Sequence, residues 1–213
     1  MKTKQYAYAE EYIMCPILDL CIIFHNNVPM ATPLTMEDVD PNIRSKVYTQ
    51  AYEPKKTIEG VQIVTLKSMS GEDSDFTELM RGNAQGESEN FPGFHVAQIN
   101  RSTQIPGSIK AWHLHLAQDE VWYVTDEGRL LTGLWDVRKG SPTFGVTMRV
   151  PMGASTHKMV YIPRGVAHGS INLTNVTSTI LYFMNGQFNK EKPDEHRISW
   201  DAQGADFWQV QRD

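Results

Sequence analysis

The sequence predicts an all-β protein, a small barrel or sandwich of short strands. Three observations point there. From Thr57 onward the apolar stretches are short and rich in β-branched and aromatic residues. Gly- and Pro-containing turn signals separate them at close intervals. Two histidine-bearing segments, Gly107 to Gly128 and Ile162 to Asn172, lie far apart in the chain yet carry residue types that a closed barrel brings together.

Residues 1–55 do not share this pattern and are expected to be an N-terminal extension to a barrel of residues 56–213. Ile17 to Phe24 is an apolar run, either a strand or a buried helix. A helix is expected over Met36 to Lys46, with Thr35 as N-cap and Glu37 and Asp38 in the first turn. Prolines at 16, 29, 33, 41 and 54 punctuate the segment. Val61 to Leu66 then reads as a strand, Ser68 to Asp75 as a turn, Thr77 to Arg81 as ambiguous, and Asn83 to Gly93 as a loop. Phe94 to Asn100 alternates as a half-buried strand does. Val121 to Val124, Gly128 to Trp135, Phe144 to Val150, Lys158 to Pro163, Ser170 to Leu173 and Thr177 to Met184 complete the strands, with a turn at Arg138 to Pro142. The tail from Asn189 is polar. One helical turn is expected at Pro193 to Arg197, and Trp200, Phe207 and Trp208 are expected to pin the tail to the body.

Composition narrows the function. The 213 residues suffice for one good core. A net charge of −5 gives no basic footprint for nucleic acid. No apolar run reaches the ~18 residues of a membrane span. The N-terminal MKTKQYAYAEEYIM carries acidic residues where a signal peptide needs an apolar core, so a cytoplasmic location is expected. The two cysteines, Cys15 and Cys21, suit reduced, buried thiols there. The triplets at Asn100, Asn172 and Asn175 match a glycosylation acceptor, and without a signal peptide they carry no weight.

The chemistry-bearing residues are concentrated in the two histidine segments. His113 and His115 are two apart, so in an extended strand they face the same way. Glu120 follows, then Gly128. His168 stands in Pro163-x-Gly165-x-x-His168-x-x-x-Asn172. This pair of segments resembles the two-part signature of the cupins. The resemblance implies a double-stranded β-helix, a jelly-roll barrel, and leaves the reaction open.

A longer pattern surrounds it. Gln98-x-Asn100-x-Ser102 is followed by Gly107-x-x-Lys110-x-x-His113. Asp136-Val-Arg138-Lys-Gly-Ser141-Pro-Thr143-Phe144-Gly145, Tyr161-Ile-Pro163-x-Gly165-Val-Ala-His168-Gly169, Tyr182 and Glu195-x-x-Ile198-x-Trp200 come after. Over roughly residues 57 to 208 this is similar to the dTDP-4-dehydrorhamnose 3,5-epimerase family. That resemblance implies a nucleotide-linked 4-keto-6-deoxy sugar as substrate and neither metal nor organic cofactor. It implies His113 as the base that removes a proton beside the ketone, and Tyr182 as the acid on the opposite face. It assigns Gln98 and Asn100 to the nucleotide or phosphate, Lys110 to the place of a phosphate-contacting arginine, and His168 to the pocket wall. It also suggests a homodimer that shares edge strands.

Some family positions differ. His115 stands where the family has a glutamine. Gln118-Asp-Glu120 lacks the family's lysine beside the sugar oxygen. Thr132 replaces an aspartate, and Phe188 a second tyrosine. The family's Trp-x-Asp-Pro, whose aspartate orients the catalytic histidine, reads Trp200-Asp201-Ala202-Gln203. These changes open two alternatives. In one, His113, His115, Glu120 and His168 hold one divalent transition metal (Mn, Fe, Ni or Zn) in a dioxygenase or isomerase. In the other, the barrel binds a sugar nucleotide without turning it over.

Overall fold

The computed structural model describes residues 32–51, 54–125, 127–154 and 156–211. The chain divides into two units, Met1–Tyr52 and Glu53–Asp213. Among the described residues no helix is long and apolar enough to cross a membrane.

In the first unit Thr35 caps as expected: its hydroxyl accepts from the Glu37 amide at 3.2 Å, and Asp38 accepts from the Thr35 amide at 2.7 Å. The expected single helix is broken in two, a 3-10 turn at Met36–Asp38 and α1 at Pro41–Arg44. Pro41 is the cause. It has no amide hydrogen to extend the first turn, and it holds Asp40 at ψ 130, outside the helical region. The apolar run at Ile17 to Phe24 and both cysteines lie outside the described residues.

The second unit is built from strands. In chain order they are β1 (Gln62–Thr65), β2 (Ser68–Ser70), β3 (Asp75–Thr77), β4 (Gln98–Gln104), β5 (Ile109–Leu114) and β6 (Glu120–Val124). They continue with β7 (Arg129–Asp136), β8 (Thr147–Gly153), β9 (Lys158–Ile162), β10 (Val166–Asn172), β11 (Ser178–Met184) and β12 (His196–Arg197). One sheet runs β1-β9-β6-β11-β4, the facing sheet runs β12-β5-β10-β7-β8, and β2-β3 is a small hairpin. Neighbours pair antiparallel throughout the two large sheets. This is the jelly roll expected from the sequence.

Alternation along β6 explains two of three apolar layers. Trp122 and Val124 point between the sheets, with Leu130, Leu134, Met152, Val160 and Ile180. Val121 and Tyr123 point outward, where Phe91 and Phe94 of the preceding loop cover them. All five residues of β6 are buried because both faces are covered. A third cluster lies on the outer face of the other sheet, where Trp208 packs on Trp112, Leu131 and Ala167. Gly133 on β7 makes room for it: a Cβ there would come within 2.7 Å of the Trp208 ring. Phe207 and Trp208 thus pin the tail as expected. Trp200 contributes only its carbonyl, which accepts from the Trp208 indole at 2.8 Å.

Three segments depart from expectation. The turn expected over Ser68 to Asp75 closes into the β2-β3 hairpin, with the Gly71 amide bonded to the Ser74 carbonyl. The strand expected from Phe94 begins at Gln98 and runs on to Gln104, because β11 offers it partners along that whole length. The helical turn expected at Pro193 to Arg197 is instead β12, drawn extended by the free edge of β5.

Candidate active site

A cavity of about 330 Å³ opens between the barrel and the segment that follows β11. The barrel side comes from alternation. On β4, Gln98 and Asn100 line the cavity while Ile99 and Arg101 are exposed. On β11, Tyr182 and Met184 line it while Leu181 and Phe183 pack outward. Lys110 and His113 enter from β5, and Glu120 from β6. His115 lies just past β5 and lines the cavity with His113, as their spacing predicts. The other side is made by Gln187, Phe188, Asn189, Lys192, Asp194 and Glu195.

At the base of the cavity is a buried carboxylate. Glu120 accepts from the Trp122 indole at 2.6 Å and from the Gln118 amide at 3.0 Å. His115 Nε2 is 3.2 Å from its Oε1. His168 Nε2 is 3.4 Å from its Oε2 without meeting hydrogen-bond geometry. His115, Glu120 and His168 are 4%, 5% and 2% exposed, so His168 sits behind the wall rather than on it. Both rings are held from outside: His115 Nδ1 meets the Asp194 carbonyl and His168 Nδ1 the Val166 carbonyl. Burial alone would raise the Glu120 carboxyl, but the contact with His115 and the charge of His115 and His168 hold it well below the usual carboxylate range. Burial pulls His115 down, and the Glu120 carboxylate and the Asp194 carbonyl outweigh it, so its net shift is upward.

His113 has different partners. Its Nδ1 is 2.9 Å from a Glu195 oxygen and its Nε2 is 2.8 Å from an Arg197 guanidinium nitrogen. Burial lowers its pKa; Glu195 resists, and His168 and Arg197 add to the fall. The result is a neutral imidazole at neutral pH, the state a base requires. Tyr182 is raised to about 12, chiefly by burial, and the nearby Glu120 and Glu195 carboxylates also push it up. It therefore remains a proton donor. Lys110 Nζ bonds the Ser102 hydroxyl at 2.9 Å on the same side. Gln98 bonds Asn100 at 3.0 Å and accepts from the Phe188 amide at 2.9 Å, tying the two sides of the cavity together.

Two corners keep these groups in place. Asp194 accepts the amides of Leu116, Ala117 and Gln118 at 2.9, 2.8 and 3.0 Å, which shapes the turn after His115. Asp119 receives Arg164 through its amide, Nε and Nη2 at 2.9, 2.9 and 2.8 Å, and Asn185 at 2.9 Å. Gly165 adopts φ +81 there and donates to the His115 carbonyl at 2.7 Å. The Pro-x-Gly turn thus positions the segment carrying His115.

Of the proposed metal ligands, His115, Glu120 and His168 present donor atoms within 4.8 Å of one another. His113 is outside that group and turned to Glu195 and Arg197. Sequence reasoning gave no role to Asp194, Glu195 or Arg197. The only signal was Glu195 at the start of the Glu-x-x-Ile-x-Trp pattern.

The family model for dTDP-4-dehydrorhamnose 3,5-epimerase matches residues 55–210. The chain belongs to that family. It is 37% identical to the spore coat polysaccharide biosynthesis protein SpsL of Bacillus subtilis over 150 residues, 70% of this chain and 95% of that protein. It is 31% identical to the dTDP-4-dehydrorhamnose 3,5-epimerase of Mycobacterium tuberculosis over 48% of this chain and 50% of that one. Among solved structures, the dTDP-6-deoxy-D-glucose-3,5-epimerase of Legionella pneumophila, in complex with dTDP-4-keto-L-rhamnose, superposes with a TM-score of 0.62. It is 25% identical, and the match covers 74% of this chain and 82% of that one. The epimerase-family resemblance read from Gln98 to Trp200 is thus upheld.

Proposed function

We propose that this chain is an epimerase of a dTDP-linked 4-keto-6-deoxy sugar, acting at one or both carbons that flank the ketone by proton transfer between His113 and Tyr182. The observation that carries the reading is a neutral His113 and a protonated Tyr182 lining one cavity in a member of this family. His113 Nε2, released from the Arg197 guanidinium as the sugar enters, takes the α proton. The C–H electrons move into the ring carbon bond and the carbonyl π pair moves onto oxygen, giving an enolate. As the enolate collapses, the Tyr182 hydroxyl gives a proton to the other face of the same carbon. Solvent then takes the proton from His113 and restores that of Tyr182. No electrons are gained or lost, so this route calls for no redox cofactor.

Gln98, Asn100 and Lys110 are assigned to the nucleotide and its phosphates, with Lys110 as the charge. His168 is assigned to supporting the pocket from behind through Glu120. Catalysis is assigned to residues 56–213, with residues 1–55 as an extension. A homodimer is part of the same reading: β4 is the last strand of its sheet, with Ile99 exposed on it and Ile105 just beyond, and a second copy can cover both. The test is deuterium incorporation from heavy water into dTDP-4-keto-6-deoxyglucose. Wild type should exchange at a carbon beside the ketone, and His113→Ala should lower turnover about 10²- to 10⁴-fold. A wild-type enzyme that binds the sugar nucleotide with no exchange would leave only a binding barrel.

A second reading has its own observation. His115 and His168 both tie Nδ1 to a backbone carbonyl and aim Nε2 at Glu120, the outer-shell arrangement of metal-ligating histidines. These three residues would hold one Mn, Fe, Ni or Zn ion, which would polarise the substrate carbonyl when bound. The donor set fits a transition metal with open positions. Elemental analysis of protein purified without chelator decides it: about one metal per chain, lost in His115→Ala, supports this reading, and protein that takes up none on titration removes it.

A further inference from the structure

We propose that Arg197 is a catalytic residue of the epimerisation: its guanidinium moves from His113 Nε2 to the ketone oxygen and holds the enolate charge that forms there. The chemistry of that oxygen rests on the epimerase reading, and the place of the cation rests on the pairing of β12 with β5.

Proton removal by His113 leaves a negative charge on the sugar oxygen, and such a charge in a partly dry cavity needs a donor close by. Among the described residues the cavity presents three carboxylates, Glu120, Asp194 and Glu195, which oppose it. His115 has both ring nitrogens engaged, Nε2 at Glu120 and Nδ1 at the Asp194 carbonyl, so it has no hydrogen to offer. Lys110 is turned to the Ser102 hydroxyl at 2.9 Å and is assigned to the phosphates. Lys192 lines the cavity from the exposed tail.

Arg197 is placed differently. It is the Cα partner of His113 across β12 and β5, and opposite residues of an antiparallel pair project to the same side. Its Nη1 meets His113 Nε2 at 2.8 Å, and its Nη2 meets Glu195 Oε1 at 2.7 Å. A guanidinium only donates and keeps its charge at any working pH. A fixed cation therefore sits on the nitrogen that the sugar's α hydrogen must reach. Its charge also acts on both proposed proton carriers: it adds to the burial that lowers His113 and opposes the burial that raises Tyr182. The ketone oxygen is carried by the carbon next to the one that loses the proton. With that second carbon about 3–3.5 Å from Nε2, the oxygen lies within reach of the displaced Nη1–H. Glu195 keeps hold of Nη2, so the guanidinium pivots and stays. The side chain is 55% exposed, which gives it room for that short move.

Atoms and electrons balance. The C–H pair becomes the ring C=C bond, the carbonyl π pair becomes a lone pair on oxygen, and Nη1–H donates to it without giving up its proton. When Tyr182 returns a proton, the C=C pair takes it, the oxygen pair reforms the carbonyl, and the guanidinium is unchanged.

The test measures kcat, dTDP affinity and the infrared C=O stretch of bound dTDP-4-keto-6-deoxyglucose carrying ¹³C at the ketone. The stretch is recorded in a Tyr182→Phe background, where epimerisation is blocked and the ketone persists. It should lie lower with Arg197 present than in Arg197→Gln or Arg197→Ala, because a cation on the oxygen weakens the double bond. Arg197→Ala should lower kcat about 10²- to 10³-fold, the usual loss of one oxyanion donor, with dTDP affinity within about threefold. Guanidinium ion added to Arg197→Ala should restore part of that loss. Arg197→Lys, which keeps the charge but not the fork, should retain more of both readouts than Arg197→Gln. Should Arg197→Ala fail to fold, Arg197→Gln and Arg197→Lys still decide. An unchanged stretch in Arg197→Gln would overturn the proposal and leave Arg197 a positioning residue of His113. A change of stretch in Lys192→Ala with none in Arg197→Gln would overturn it in favour of the tail lysine. In both cases a wild type that exchanges deuterium leaves the epimerase reading standing. A wild type that binds the sugar without exchange, with a stretch that responds to Arg197, removes that reading and keeps the contact. A wild type that binds no keto-sugar removes both.

Discussion

The two sides of the cavity are held in different ways. The barrel side is made mostly of strand positions on β4, β5, β6 and β11, whose direction follows from alternation and which are backed by paired neighbours. The tail side is made of irregular chain held by a few side-chain anchors: Asp194 on three amides, Gln98 on the Phe188 amide, and Trp208 in its apolar slot. The barrel side carries His113 and Tyr182, the proposed base and acid. The tail carries Glu195 and Arg197, which contact His113. The cavity therefore joins residues set by strand pairing to residues set by a few side-chain anchors.

The sharpest way to break that division is on the barrel side. Tyr182→Phe removes the proposed acid and leaves the ring in place, so kcat should fall about 10²- to 10⁴-fold with little change in the urea midpoint. Because Tyr182 is pushed up to about 12, its proton is retained across the whole neutral and mildly alkaline range. Between about pH 7 and 10 the wild-type rate should show no alkaline fall due to this group. Its sign in stability agrees. A tyrosine raised from about 10 to about 12 contributes fully below pH ~10 and loses that contribution as pH rises toward ~12. A rate profile falling with an apparent pKa near 9 that vanishes in Tyr182→Phe would contradict this.

The second break is on the tail. Trp208 packs on Trp112 at a tilt, with a ring separation of 4.7 Å, and donates to the Trp200 carbonyl. Trp208→Ala should cost about 3–5 kcal/mol by urea denaturation, the usual price of an emptied aromatic slot. At urea concentrations too low to unfold the barrel, kcat should already be reduced, because β12 and Glu195 lose their support. Affinity for dTDP, proposed to rest on Gln98, Asn100 and Lys110 of the barrel strands, should change little. Equal losses of binding and turnover would mean that the two sides are not separable.

The same contrast explains what could be read in advance. Short β-branched and aromatic runs between turn signals located β1, β6, β7, β9 and β11. The places of His113 on β5 and Tyr182 on β11, the proposed base and acid, were expected from a long motif, and both line the cavity. Glu195 and Arg197 could not be found in that way. Their segment, Asn189 to Arg197, is polar and has no period, and it becomes β12 only because the edge of β5 is open to it. Pairing to a distant edge leaves no local trace. The same holds for His168, whose motif pointed to the pocket but whose depth behind Glu120 is set by packing against Trp122. The break at Pro41, by contrast, was visible in the sequence, and the run of helix-compatible residues around it concealed its effect.

Acid separates the two sides further. The hairpin turn after β7 depends on Asp136, which is fully buried and accepts from Arg138 at 2.9 Å, Ser141 at 2.6 Å and Thr143 at 2.6 Å. Arg138 is the first cause that holds its pKa far below the usual range, against the opposing effect of burial. A depressed carboxyl stabilises the fold above the unfolded value near ~3.9 and loses that contribution as pH falls below it. Stability should therefore hold from pH 7 to about 5 and drop steeply below about 4. Asp136→Asn should be destabilised at pH 7 and lose much of that acid slope, as urea midpoints at several pH values will show. Trp208→Ala should keep the wild-type slope, since apolar packing does not titrate.

The smallest expected effect concerns charge geometry rather than charge. Lys110 lines the cavity from β5 where the family pattern has an arginine, and its ammonium is held by the Ser102 hydroxyl at 2.9 Å. An ammonium meets a diphosphate as a point charge, whereas a guanidinium can bind two oxygens at once. Lys110→Arg should therefore tighten dTDP binding by several-fold and leave kcat within about twofold. Lys110→Ala should weaken binding, and do so less at high salt, where the charge is already screened. Titration calorimetry with dTDP at two ionic strengths checks both. If Lys110→Arg binds no better, or worse, the space around Ser102 accepts only the slimmer ammonium. The lysine would then be part of how this pocket is shaped on its barrel side, not a weaker copy of the arginine.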